Sequence, residues 1–83
     1  MTTTTKHWNR VLPGLYVDGT ETWVLTQDGN RYWTVRAFEG WGEYPEWSAK
    51  RGELFPDYGD IIYGNYATLN EAKRGAEQLG DAP

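Results

Sequence analysis

The sequence predicts an α+β fold: a three-stranded antiparallel β-sheet, extended in one version by a short fourth strand, with one C-terminal α-helix packed on one face. Three observations carry that expectation. Two Asp-Gly steps, Asp18-Gly19 and Asp28-Gly29, separate runs rich in strand formers. Thr68-Leu69-Asn70-Glu71 is a capping-box pattern ahead of a narrow apolar stripe. A length of 83 residues leaves room for a single domain, near the lower size limit for unaided folding.

Residues 1–7, with four consecutive Thr, read as a flexible leader, and residues 8–80 as the domain itself. The first strand is expected around Leu15-Tyr16-Val17, the second from Glu21 to Thr26 and the third from Asn30 to Phe38. Asp-Gly joins them because Gly supplies the positive φ that tight connections need. With three-residue connections Val17 faces Glu21, Leu15 faces Trp23, Trp23 faces Trp33 and Leu25 faces Arg31. That register gathers Leu15, Val17, Trp23, Leu25, Trp33, Val35 and Ala37 on one face. Tyr16, Val24, Thr26, Tyr32, Thr34, Arg36 and Phe38 then share the other.

Residues 39–60 change character. Six acids stand against Lys50 and Arg51, so this stretch has a net charge of −4, equal to that of the whole chain. It also holds five aromatics, which a disordered segment would lack, and is expected to be a long acidic loop anchored by its rings, with a short strand around Trp47 as one form. Ile61-Ile62-Tyr63 reads as a further short strand or a buried lead-in to the helix. In the helix, Leu69, Ala72, Ala76 and Leu79 form the apolar stripe, Gly80 stops it, and Gly75 costs about 1 kcal/mol relative to Ala, which tertiary packing must offset.

Composition removes several function classes. There is no Cys, one His (His7) and one Ser (Ser48), so a disulfide framework, a Cys/His zinc site and a Cys nucleophile are out of reach. Glu43 with Glu46, or Asp57 with Asp60, are carboxylate pairs without the spacing of a calcium loop, and solvated loop acids explain them as well. No catalytic residue, metal ligand or cofactor is therefore expected. No apolar run approaches a membrane span, and the first residues lack the pattern of a signal peptide, so a soluble cytoplasmic protein is expected. A net charge of −4 disfavours diffuse contact with nucleic acid.

Aromatics make up 16% of the chain, more than so small a core absorbs, so several rings should remain exposed. Trp41, Glu43, Tyr44, Glu46, Trp47, Phe55, Asp57 and Tyr58 are the candidate protein-binding surface, with rings as anchors and acids as a rim that steers a basic partner. The alternative structural role is a loop pinned to the core by the same rings. Arg31, Tyr32, Thr34, Arg36 and Phe38 are the alternative, nucleic-acid-binding set, since Arg contacts phosphate and rings stack on bases; a solvated sheet face is the structural alternative.

Gly64-Asn65-Tyr66-Ala67-Thr68-Leu69-Asn70-Glu71-Ala72-Lys73 resembles the G-x-[FY]-x-T-x-x-E-A-K pattern that ends many small sheet-plus-helix proteins. With Leu12-Pro13-Gly14-Leu15-Tyr16, Trp23 and Trp33, it is similar to the small accessory proteins of actinobacteriophages. More weakly, the chain resembles AP2-like and integrase arm-binding modules, whose three-stranded sheet enters the major groove. The first resemblance implies a small phage accessory protein in the infected cell; with it, the composition implies non-enzymatic binding of a host or phage protein through the acidic aromatic loop, with inhibition by occlusion as one form. The second implies sequence reading by the face carrying Arg31 and Arg36. Neither selects an oligomeric state.

Overall fold

A computed structural model describes residues 7–29, 31–44 and 52–80. Among these residues are six strands and one helix: β1 (Trp8–Leu12), β2 (Leu15–Asp18), β3 (Trp23–Gln27), β4 (Trp33–Glu43), β5 (Leu54–Tyr58), β6 (Gly64–Tyr66) and α1 (Leu69–Leu79). The α+β class with one C-terminal helix matches the expectation, whereas the sheet has more strands than the predicted three. All neighbours are antiparallel in the order β1-β2-β3-β4-β5, and β6 also pairs with β4. The additional β1 folds back on β2 through Pro13 and Gly14, and the Trp8 indole NH donates to the Glu77 carboxylate at 3.3 Å, tying this strand to the helix.

The register differs from the predicted one. Val17 lies opposite Val24 and Leu15 opposite Thr26, so Leu15 and Val17 belong with Val24 on the face away from Trp23. Trp23 faces Ala37 and Leu25 faces Val35, four residues along from the expected partners but on the expected face. The cause at the first connection is Asp18. Its buried carboxylate accepts from the Thr22 amide at 2.7 Å, the Trp23 amide at 3.2 Å and the Thr20 hydroxyl at 2.9 Å, holding a four-residue link in place of a three-residue one. Positive φ falls on Glu21 there, not on Gly19; Gly29 does adopt it.

This register buries both faces of the sheet. On one, Trp23, Leu25, Trp33 and Val35 pack against Ala72 and Ala76 of α1. The two alanines let the helix lie close over the indoles, and the Trp23 indole NH donates to the Gly80 carbonyl at 2.8 Å, satisfying a carbonyl beyond the helix end. On the other face, Leu15, Val17 and Val24 are covered by Val11 and Leu12 of β1, Phe38 of β4 and Phe55 of β5. In a flat sheet β1 and β5 would lie about 19 Å apart, at about 4.8 Å per strand. Their side chains meet over one cluster, so the sheet curls.

The helix begins as predicted, with Thr68 at the N-cap accepting from the Glu71 amide at 3.2 Å. Its stripe is shifted: Leu79 is exposed, and Gly75 joins Ala72 and Ala76 among the buried positions. The reason is Tyr66. A Cβ on Gly75 would run into the Tyr66 hydroxyl and ring, and a Cβ on Gly64 would meet the same ring, so both glycines make room for one phenol between β6 and the helix. That contact is the tertiary gain that offsets a helical glycine.

Gly75→Ala is therefore expected to destabilise the protein by about 1–3 kcal/mol through overpacking, although Ala is the better helix former by about 1 kcal/mol. In a Tyr66→Ala background the same change should become stabilising, read by urea denaturation of the four proteins in the cycle. A stabilising Gly75→Ala in the wild-type background would reject the contact.

Candidate functional site

Among its described residues, the stretch expected as a long loop is largely β-ribbon. Beyond Ala37 the paired part of β4 leaves β3 behind and continues against β5, with Trp41 opposite Pro56, Gly42 opposite Phe55 and Glu43 opposite Leu54. Pro56 has no NH to donate, which suits an outer strand with one paired edge. Strand-weakening Gly40, Gly42 and Pro56 hid this ribbon in the sequence. Glu46 and Trp47, and with them the short strand proposed around Trp47, lie outside the described residues.

The candidate protein-binding residues divide between structural and surface roles. Tyr44 is buried and meets Phe55 edge-on at 5.2 Å, and Phe55 in turn packs on the second core, so these two rings pin the ribbon. Trp41 stays 38% exposed, edge-on to Phe38 at 5.3 Å, with its indole NH donating to the Glu21 carboxylate at 3.0 Å. Glu43, Asp57 and Tyr58 are exposed, and beside them Leu54, which the sequence reading did not select, is 58% exposed.

From β5 to β6 the chain returns along the same edge of β4 with one interruption. The Gly59 amide donates to the Ala37 carbonyl at 3.1 Å and the Tyr63 amide to the Val35 carbonyl at 2.8 Å, while Asp60, Ile61 and Ile62 loop outward between them. Ile61 and Ile62 are 65% and 49% exposed, so the expected strand or buried lead-in is replaced by an exposed apolar excursion. Tyr63 returns towards the core and meets Trp23 edge-on at 5.1 Å.

Arg36 holds that excursion. Its guanidinium donates from one Nη to the carbonyls of Gly59 and Asp60, each at 3.2 Å, and lies 5.6 Å from the centre of the Tyr58 ring. Its Nε is buried, with no hydrogen-bond partner among the described residues. Of the alternative nucleic-acid set, Phe38 is absorbed into the second core and Arg36 is engaged by backbone. Arg31, Tyr32, Thr34 and Arg36 nevertheless line one concave groove of about 500 Å³. Thr26, Thr34 and Asn65 make its floor, lying in line across β3, β4 and β6, with the two hydroxyls 2.5 Å apart. Tyr58 and Ile62 close one side. Arg31, Tyr32 and Asp28, around the β3–β4 connection, form the open end, where Tyr32 is 56% exposed.

Tyr58, Ile62 and Asn65 are contributed from segments distant in sequence, so only Arg31, Tyr32, Thr34 and Arg36 could have suggested the groove. Among the described residues no three His, Asp or Glu side chains are grouped to hold a metal ion, and no helix is long and apolar enough to cross a membrane. Compared with protein-family models, curated proteins and solved structures, the chain gives no match.

Arg36→Leu keeps much of the apolar stem but leaves the Gly59 and Asp60 carbonyls without their donor. It is expected to cost about 1–2 kcal/mol in urea denaturation while the far-ultraviolet circular dichroism is retained. A variant as stable as the wild type would show that the excursion needs no clamp.

Proposed function

We propose that this protein is a non-enzymatic binding module that captures a basic partner protein through the β4–β5 ribbon. The observation that carries the reading is the pairing of exposed apolar side chains, Trp41, Leu54 and Tyr58, with exposed Glu43 and Asp57 on one two-stranded ribbon. Tyr44 and Phe55 fix the ribbon from within, so the exposed rings are presented with little conformational entropy left to lose. Residues 39–60 carry a net charge of −4, which steers a positively charged surface towards them. Rigid aromatic and apolar anchors give most of the binding energy in protein interfaces, and nearby acids add steering.

The resemblance of residues 64–73 to the closing pattern of actinobacteriophage accessory proteins extends the proposal. The partner is then a host or phage protein in the cytoplasm of the infected cell, inhibited by occlusion. Binding of this kind needs no cofactor and no catalytic group. The groove on the sheet face favours a separate ligand, taken up below.

Affinity capture from host lysate tests the ribbon. The Trp41→Ala, Leu54→Ala double variant should remain folded and lose at least about tenfold in the recovery of any partner that the wild type enriches, with recovery from the wild type falling as salt is raised. Tyr32→Ala, at the mouth of the groove, should capture as the wild type does. Equal capture by the folded double variant would overturn the assignment.

A further inference from the structure

The groove between the β3–β4 connection and the 60–62 excursion has a composition unlike the rest of this acidic protein. It brings together two arginines, three neutral hydrogen-bonding side chains on its floor and two tyrosine rings, with Asp28 as its acid. Its volume of about 500 Å³ is that of a small-molecule site. The exposed ribbon plays no part in it beyond Tyr58 at the base of β5.

We propose that this groove binds a nucleoside monophosphate: a small ligand with a planar heteroaromatic ring at one end and a phosphate at the other. Each part of that ligand has a counterpart in the groove. Tyr32 and Tyr58 offer rings for stacking, which every base can exploit and which is worth about 1–3 kcal/mol per base. Thr26 and Thr34, whose hydroxyls share a hydrogen bond, keep acceptor capacity, and Asn65 offers an amide able to donate and to accept, along the floor that a base edge or ribose would face. Arg31, exposed at the open end, can meet a phosphate in a bidentate geometry without giving up an existing core contact. Asp28 beside it can accept from a ribose hydroxyl or a base amino group.

Arg36 has a different part. Its guanidinium is already committed to the Gly59 and Asp60 carbonyls and to the Tyr58 ring, so it fixes the wall of the groove and adds positive potential to its inner end. Orientation follows: ring between Tyr58 and Tyr32, phosphate outward at Arg31. The net charge of −4 opposes an anion at long range, so the ring and the floor must contribute alongside the phosphate, and inorganic phosphate alone should bind poorly.

The test is a titration of the 15N-labelled protein, followed by amide chemical shifts, with adenosine 5′-monophosphate and thymidine 5′-monophosphate up to about 5 mM, a range that reads millimolar affinities. Adenosine and inorganic phosphate serve as part-ligands. The expected result is a saturable shift centred on Thr26, Arg31, Tyr32, Thr34 and Asn65 with either nucleotide. Each part-ligand should bind at least about tenfold more weakly, and Arg31→Ala and Tyr32→Ala should each lower nucleotide affinity by about tenfold. Both positions are exposed, so the variants should fold. A short oligothymidylate distinguishes the source of the ligand: tighter binding than the mononucleotide, lost in the same two variants, assigns the groove to one nucleotide of a strand, and weaker binding assigns it to the free nucleotide. Absence of saturable shifts, a response to inorganic phosphate equal to that of the nucleotide, or wild-type affinity in both variants would overturn the proposal.

Discussion

The guanidinium of Arg36, held between the carbonyls of Gly59 and Asp60, braces the break that divides the second half of the chain. Between Tyr58, opposite Phe38, and Gly64, opposite Val35, the returning chain has three residues more than continuous pairing along β4 would use. Those three are displaced outward, β5 ends at Tyr58 and β6 starts at Gly64. Upstream of the break the chain forms a ribbon that leaves the body of the sheet. Downstream it delivers Tyr63 and Tyr66 to the helix-covered core, and the displaced segment walls the groove with Ile62.

The second constraint is that both faces of the sheet are covered along the first half of β3. Trp23, Val24 and Leu25, consecutive in β3 and so alternating between faces, are all fully buried. One face is closed by a helix whose small residues fit over two indoles; the other is closed by the curl that brings β1 and β5 over the same cluster. So few aliphatic residues suffice for two cores because the rings carry much of the buried area. It follows that recognition is confined to places where the sheet extends past its own coverage: the outer ribbon, the excursion and the groove beside it.

Much of this was legible in the sequence, and the remainder has identifiable causes. The helix was, because Thr68, Glu71 and the alanine spacing are local signals. So was the common face of Trp23, Leu25, Trp33 and Val35, because shifting β3 against β4 by four residues preserves parity. The register of β2 was not, since it rests on the Asp18 carboxylate closing a longer connection, a side-chain event that composition does not report. Trp8 to Leu12 lacks alternation and precedes Pro13-Gly14, so β1 did not read as a strand; Gly40, Gly42 and Pro56 concealed the ribbon. Ile61 and Ile62 read as buried because they are apolar, and their exposure follows from the three surplus residues between the pairings of Tyr58 and Gly64, which no local signal reports. Part of the site was visible through Arg31, Tyr32, Thr34 and Arg36, which are close in sequence, while Tyr58, Ile62 and Asn65 meet them only in the fold.

The central claim is that residues 54–66 form one returning strand with a single clamped interruption. Amide hydrogen exchange of the native protein, resolved by residue, tests it most directly. The Gly59 and Tyr63 amides, bonded to the Ala37 and Val35 carbonyls, should be protected, with Asp60, Ile61 and Ile62 exchanging rapidly between them. Protection running unbroken through Asp60 to Ile62, or rapid exchange at both Gly59 and Tyr63, would contradict the account.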